Sequence, residues 1–139
     1  KRKYKFYDKI SSQRSDDIIK YALQLLNTPY LWGGKSILGI DCSGFTQLVY
    51  SLCGLNIPRD AYQQAEIGTK VNIESIIDGD LVFFVSDKNR IHHVGIAIQQ
   101  NQIIHASGKV RIDFLSEKGI IHHQSNELTH RLHSIKRIL

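Results

Sequence analysis

Cys42 is the residue whose type and place point most directly to chemistry. The apolar spacing of Phe45, Leu48, Val49 and Leu52 predicts a helix that starts at Asp41, which puts the thiol just inside its N-terminus. There the free N–H groups and the positive end of the helix dipole favour a thiolate, lowering the thiol pKa. Asp41 caps those amides, and Ser43-Gly44 leaves room for other groups beside the sulfur. Cys53 falls at the opposite, negative end of that helix and reads as a small buried side chain. Taken alone, these residues leave Cys42 either a reactive thiol or a structural one.

A sulfur nucleophile needs a base, and the base needs orienting. The chain offers 7 histidines. Residues 93–98 and 102–107 flank Asn101 as a β-hairpin, and side chains alternate between sheet faces along a strand. His92 and His93 are therefore expected to point opposite ways. A three-residue loop, Gln99-Gln100-Asn101, sets His105 opposite Gly95 and diagonal to His93, at ~7–8 Å between Cα atoms. A two-residue loop separates the pair. With the longer loop, Gly95 and Ala97 share the face of the two histidines and let the helix carrying Cys42 approach, while Val94, Ile96 and Ile98 go with His92. His122, His123, His130 and His133 carry no companion signal. Cys42, His93 and His105 are alternatively three ligands of a zinc ion, but neither C-x-x-C nor H-E-x-x-H occurs.

Several elements must position these groups. Ser15 is the expected N-cap of a first helix with Asp16 and Asp17 in its first turn, Ile18, Ala22, Leu25 and Leu26 on one face, and Pro29 past its end. Glycine-rich residues 30–40 read as loop. Gly54 closes the second helix, and a short third follows Pro58 with Ala61, Ala65 and Ile67 before Gly68. Strands are expected over 80–86, 93–98, 102–107, 110–114 and 135–139. Helices first and strands second give an α+β fold, with helices on one face of an antiparallel sheet.

The chain has 139 residues, the size of one domain, and 42% of them are hydrophobic, enough for a core. Its two cysteines are too few for a disulfide scaffold. On one helix they lie ~16 Å apart, beyond the ~7 Å a disulfide spans, so both are expected free. No apolar run approaches the ~20 residues of a membrane span. The net charge of +5 favours an anionic partner: nucleic acid, an acidic polymer or a membrane surface. It gathers at the ends, in Lys1-Arg2-Lys3 with Lys5 and in Lys136-Arg137, where solvated charged termini are the simpler explanation. No aromatic-interleaved nucleic-acid motif lies between them.

Six collinear blocks carry a resemblance. Pro29-Tyr30-Leu31-Trp32-Gly33-Gly34, Asp41-Cys42-Ser43-Gly44-Phe45, Pro58-Arg59, Gly79 to Phe84, His93-Val94-Gly95-Ile96 and Ile104-His105-Ala106-Ser107 resemble the NlpC/P60 cysteine peptidases. Residues 1–14, polar and basic, read as an arm or linker; the resemblance, collinear from about residue 15 to 115, implies a papain-like α+β domain over residues 15–139. It implies hydrolysis of peptidoglycan stem peptides, commonly between γ-D-glutamate and a diamino acid, in a bacterial envelope or secreted setting. Cys42 is then the nucleophile, His93 the general base, His105 its orienting residue, and Tyr30 a group that lines the site and holds the oxyanion. No metal or organic cofactor is implied.

In the dipeptidyl-peptidase-VI-like branch, groups matching Asp41, Ser43 and Asp60 hold the free amine of an N-terminal L-Ala. Trp32 and Arg59 fall beside them, with Arg59 expected to pair with Asp60 or face solvent. Asp41 and Asp60 alternatively only cap their helices. That branch carries SH3-like domains ahead of the catalytic domain that help wall off the amine pocket; about 14 residues are too few for one, so the expectation is either a fragment of a longer protein with such domains upstream or an open pocket. Two other functions stay open on the residues: an amidase or acyltransferase using the same triad on a non-peptide amide, and a catalytically inactive cell-wall-binding module.

Overall fold

Period-2 patterning dominates the second half of the chain, and that half forms a seven-stranded antiparallel sheet. The computed structural model describes residues 14–139, so the basic N-terminal stretch lies outside the described residues. Helix α1 covers residues 14–24. A two-stranded ribbon follows, β1 (Lys35–Ser36) and β2 (Gly39–Ile40), inside the stretch expected to be loop. Then come α2 (Cys42–Leu52), α3 (Ala61–Gln64) and β3 (Thr69–Val71). The remaining strands are β4 (Leu81–Val85), β5 (Ile91–Ile98), β6 (Gln102–Ser107), β7 (Lys109–Leu115), β8 (Gly119–Ile121) and β9 (Leu128–Arg137).

The strand order is β3-β9-β4-β5-β6-β7-β8, and β8 also pairs with β9. Strands β4 to β9 therefore close on themselves as a barrel, with β3 added beside β8 along the far side of β9. Outward-facing Phe83, Val94, Ile96 and Ile104 pack on Ile18, Ala22, Phe45 and Val49 of the helices. Inward-facing Val82, Phe84, Ala97, Ile103, Leu115, Ile120 and Ile135 fill the lumen, as side chains do in small barrels. With both faces covered, all five residues of β4 are buried and read as an unbroken apolar run. Each fully buried Phe or Ile contributes roughly 1.5–3 kcal/mol.

The α+β class stands, but the sheet's second face is a lumen rather than an open surface. Arg14 is already helical, so Ser15 is not the N-cap; its hydroxyl donates to the Asp78 carbonyl and ties α1 to the loop before β4. In α2 the buried apolar side chains are Phe45, Val49 and Tyr50, whereas Leu52 is half exposed. Leu52 turns away from the core, while Val49 and Tyr50 of the last turn are buried in it and Tyr50 donates to the Gly79 carbonyl. The final strand starts seven residues earlier than expected, because exposed Leu128, Thr129, Arg131 and His133 hide its apolar alternation.

Candidate active site

Asp41 sets the N-terminus of α2. Its backbone is extended, and its Oδ1 accepts from the Gly44 N–H at 2.7 Å. The first helical residue is Cys42, held against β5 with Sγ 3.9 Å from the His92 carbonyl oxygen. Gly44 is required here: a Cβ on it would run into the Gly34 carbonyl and come 2.8 Å from Asp41 Oδ1. Gly44→Ala is expected to cost about 1–3 kcal/mol of stability in a denaturant melt, because the obstructing atom is backbone. An unchanged melt would show that the 33–34 loop yields freely.

The hairpin has the three-residue loop, and Gly95 pairs with His105 across β5 and β6. His93 Nε2 lies 2.8 Å from His105 Nδ1 with the rings nearly perpendicular. The shared face is the lumen; α2 packs on the opposite face, through Val94 and Ile96. Cys42 and His93 therefore line one cleft from opposite faces of β5, not across a layer of small residues. His92 departs from strict alternation too. A β-bulge pairs Phe84 with His93 and Val85 with Ile91, leaving His92 unpaired in the ladder. Its ring lies 6.3 Å from that of His93, and both line one cleft.

That cleft has a volume of about 1020 Å³ and gathers Tyr30, Trp32, Asp41, Cys42, Ser43, Arg59, Asp60, His92, His93 and His130. His105, fully buried, stands behind His93. His93 Nδ1 makes no hydrogen bond among the described residues, yet no buried side-chain nitrogen or oxygen lacks a partner, so this nitrogen opens to the cleft. Trp32 is 86% exposed at the lip. The main chain of Tyr30 is tied down by its N–H to the Gly108 carbonyl and by a bridge to Ile40. Burial and the neighbouring Cys42 and Asp41 push the Tyr30 phenol up, keeping its proton as a donor.

Arg59 does not pair with Asp60. It grips Asp41 with two bonds, Nη1 to Oδ1 at 3.0 Å and Nη2 to Oδ2 at 2.9 Å, and also donates to Ser43 Oγ at 2.9 Å. Burial works to raise the Asp41 carboxyl, but Arg59 and the amides of Gly44 and Gly33 outweigh it and hold the group below the usual range. Asp41 thus does more than cap its helix, and its charge is already balanced. Asp60 is exposed on the cleft wall, and its N–H donates to Gln63 Oε1 at the start of α3.

A model of the NlpC/P60 family matches residues 27–129, which hold all the cleft groups named above except His130. The chain belongs to the NlpC/P60 family. It is 39% identical over 105 residues to the gamma-D-glutamyl-L-lysine dipeptidyl-peptidase of Bacillus cereus, covering 74% of this chain and 32% of that protein. A solved NlpC/P60 family protein from Bacillus cereus superposes with a TM-score of 0.77 at 35% identity, over 90% of this chain and 40% of that one. The NlpC/p60 domain of the peptidoglycan hydrolase SagA gives a TM-score of 0.72 at 30% identity, over 89% and 98%. The chain spans about a third of the length of the first curated relatives it matches.

Within this NlpC/P60 domain the electrostatics run against the helix-dipole expectation. Burial raises the Cys42 thiol above its ordinary value and Asp41 adds to that rise; N–H groups of Val94, Ser43 and Cys42 itself oppose it without prevailing. His93 is pushed well below the ordinary imidazole value by burial, and by its neighbours His105, His130, His92 and Arg111. Both shifts favour the uncharged forms, thiol for Cys42 and imidazole for His93.

Two further neighbours of the site are absent from the site residues read from the sequence. His130 of β9 stacks on His93 at 4.1 Å between ring centroids, and burial among histidines lowers it to about 4. Asp113 of β7, 1% exposed, lies 2.7 Å from His105 Nε2. A usable signal existed for Asp113, since Ile103 pairs with it and alternation places it on the face of His105.

Proposed function

We propose that residues 15–139 form a cysteine peptidase domain that hydrolyses peptidoglycan stem peptides between γ-D-glutamate and a diamino acid. The observation that carries this reading is the bond between His93 Nε2 and His105 Nδ1, which leaves His93 Nδ1 open to the cleft that holds Cys42. The names of the relatives support the substrate class.

In this mechanism His93 Nδ1 takes the thiol proton as the Cys42 sulfur attacks the amide carbon. The oxyanion is held by the Cys42 N–H and the Tyr30 hydroxyl, donors of the kind whose loss costs about 10²–10³ in rate. His93 then gives its proton to the departing diamino-acid amine and next activates the water that releases the acyl-enzyme. His105 orients the His93 ring throughout. Trp32 forms one lip of the cleft, and Arg59 holds Asp41 and Ser43 in place under the substrate.

Asp60 and Ser43 are the groups of the cleft best suited to a free L-Ala amine, because Arg59 already neutralises Asp41. Mass spectrometry of defined muropeptides tests both levels of the reading. L-Ala-γ-D-Glu-diamino-acid peptides are expected to release the L-Ala-γ-D-Glu dipeptide, while simple acyl amides stay intact. Cleavage of acyl amides alone would favour the amidase. Asp60→Asn is expected to raise KM about tenfold for free-amine peptides, the size of one charged hydrogen bond, and to leave N-acetylated peptides unaffected. Equal turnover of free and acetylated peptides by the parent would remove that role.

A further inference from the structure

The carboxylate of Asp113 has all its lone-pair directions committed. Its Oδ2 accepts from His105 Nε2 at 2.7 Å and from Arg111 Nε at 2.8 Å; its Oδ1 accepts from the His123 main-chain N–H at 3.0 Å and from His123 Nδ1 at 2.7 Å. Burial works to raise this carboxyl, but the donors on it win and keep it ionised, well below the usual range. An ionised carboxylate only accepts. His105 Nε2 must then carry the proton, which leaves His105 Nδ1 a lone pair. His93 Nε2 must in turn donate to that lone pair, so His93 Nδ1, facing the cleft, is the free base.

We propose that Asp113 is a positioning residue of the peptidase relay: one buried acceptor fixes the tautomers of His105 and His93 in series and balances the positive charge that His93 gains from Cys42. Arg111 and His123 hold Asp113 in place. The proton itself moves only from sulfur to His93 Nδ1; Asp113 takes none. The role rests on Cys42 acting as the nucleophile, and it adds a fourth member behind the three residues named from sequence. Asp113, His122 and His123 also bring ligating atoms within 4.8 Å of one another. The carboxylate is filled by these donors, however, and His122 Nδ1 accepts from the Gln124 and Ser125 N–H groups, so hydrogen bonding accounts for the cluster.

The titratable and charged groups around His105 are His93 from β5, Arg111 and Asp113 from β7, His122 and His123 beyond β8, and His130 from β9. Among them Asp113 alone raises His105, against burial, which lowers it. Asp113→Asn keeps an acceptor for His105 and removes the charge. It is expected to lower kcat about 10- to 10²-fold, as loss of an orienting partner does elsewhere, with KM within about twofold. The acid limb of the pH profile, for turnover and for substrate-free alkylation of Cys42, is expected to move to lower pH. A purely structural Asp113 would leave that limb where it is. Histidine ¹⁵N NMR of the unaltered protein gives a second reading, independent of whether the variant folds. Both His93 and His105 should carry the proton on Nε2; either ring protonated on Nδ1 overturns the relay. The alkylation and NMR arms need no peptide, so an uncut stem peptide would sink the proposed substrate while leaving the relay to be judged separately.

Discussion

Cys42→Ala is expected to fold with stability changed by less than about 1 kcal/mol and to lose about 10⁴–10⁶ in kcat on muropeptides. The side chain is only partly buried, so removing its sulfur leaves a small void beside β5. The chemistry, by contrast, has no second nucleophile at the helix N-terminus: the Ser43 hydroxyl is held by Arg59 and turned toward Asp41. The pH behaviour of the same thiol is a further part of this expectation. A raised thiol pKa means thiolate forms only as pH climbs, so alkylation by iodoacetamide should rise steeply above about pH 8.5. A lowered His93 pKa means its lone pair is available below about pH 6.5, so turnover should persist into mildly acid solution. A plateau of fast alkylation between about pH 5 and 8 would instead reveal a thiolate–imidazolium pair, with the helix dipole outweighing burial.

His93→Gln is expected to lower kcat by about 10³–10⁴ with KM nearly unchanged, as for a base that meets substrate only through the reacting atoms. Glutamine preserves a polar group near His105 but cannot shuttle a proton. Alkylation of Cys42 in this variant should match the parent at high pH, where thiolate forms without help, and fall behind it near neutrality. Retention of more than about a tenth of kcat would identify a different base. The candidates are His92 and His130, since both line the cleft and lie against the His93 ring.

Parity made the hairpin readable. Strand side chains repeat every two residues, so a loop of three fixes which of His93 and His105 share a face, and the observed pairing of Gly95 with His105 is that register. What lay on that face was not readable. Closure of the barrel depends on β8, three residues long, and on the polar first half of β9, neither of which shows an apolar alternation. The histidines were therefore expected to face a helix, whereas they face a lumen. Asp113 sits in the run Val110-Arg111-Ile112-Asp113-Phe114, which alternates well enough to predict a strand but gives no hint of the helix-free side it faces. The direction of the Cys42 shift is not legible in the sequence for a related reason. The dipole argument holds for a thiol with access to water, and the depth of burial beside β5 is a property of packing alone.

The ring of strands has one more consequence. Strand pairing runs from β4 round to β9 and back to β8, which leaves β3 as a terminal strand of the large sheet, paired on one side to β9. That strand is three residues long and carries Lys70 at its centre. A foreign extended chain finds almost nothing there to hydrogen-bond with, and a cation to repel a copy of itself. A short, cation-bearing terminal strand of this kind disfavours edge-to-edge self-assembly of the domain through its large sheet.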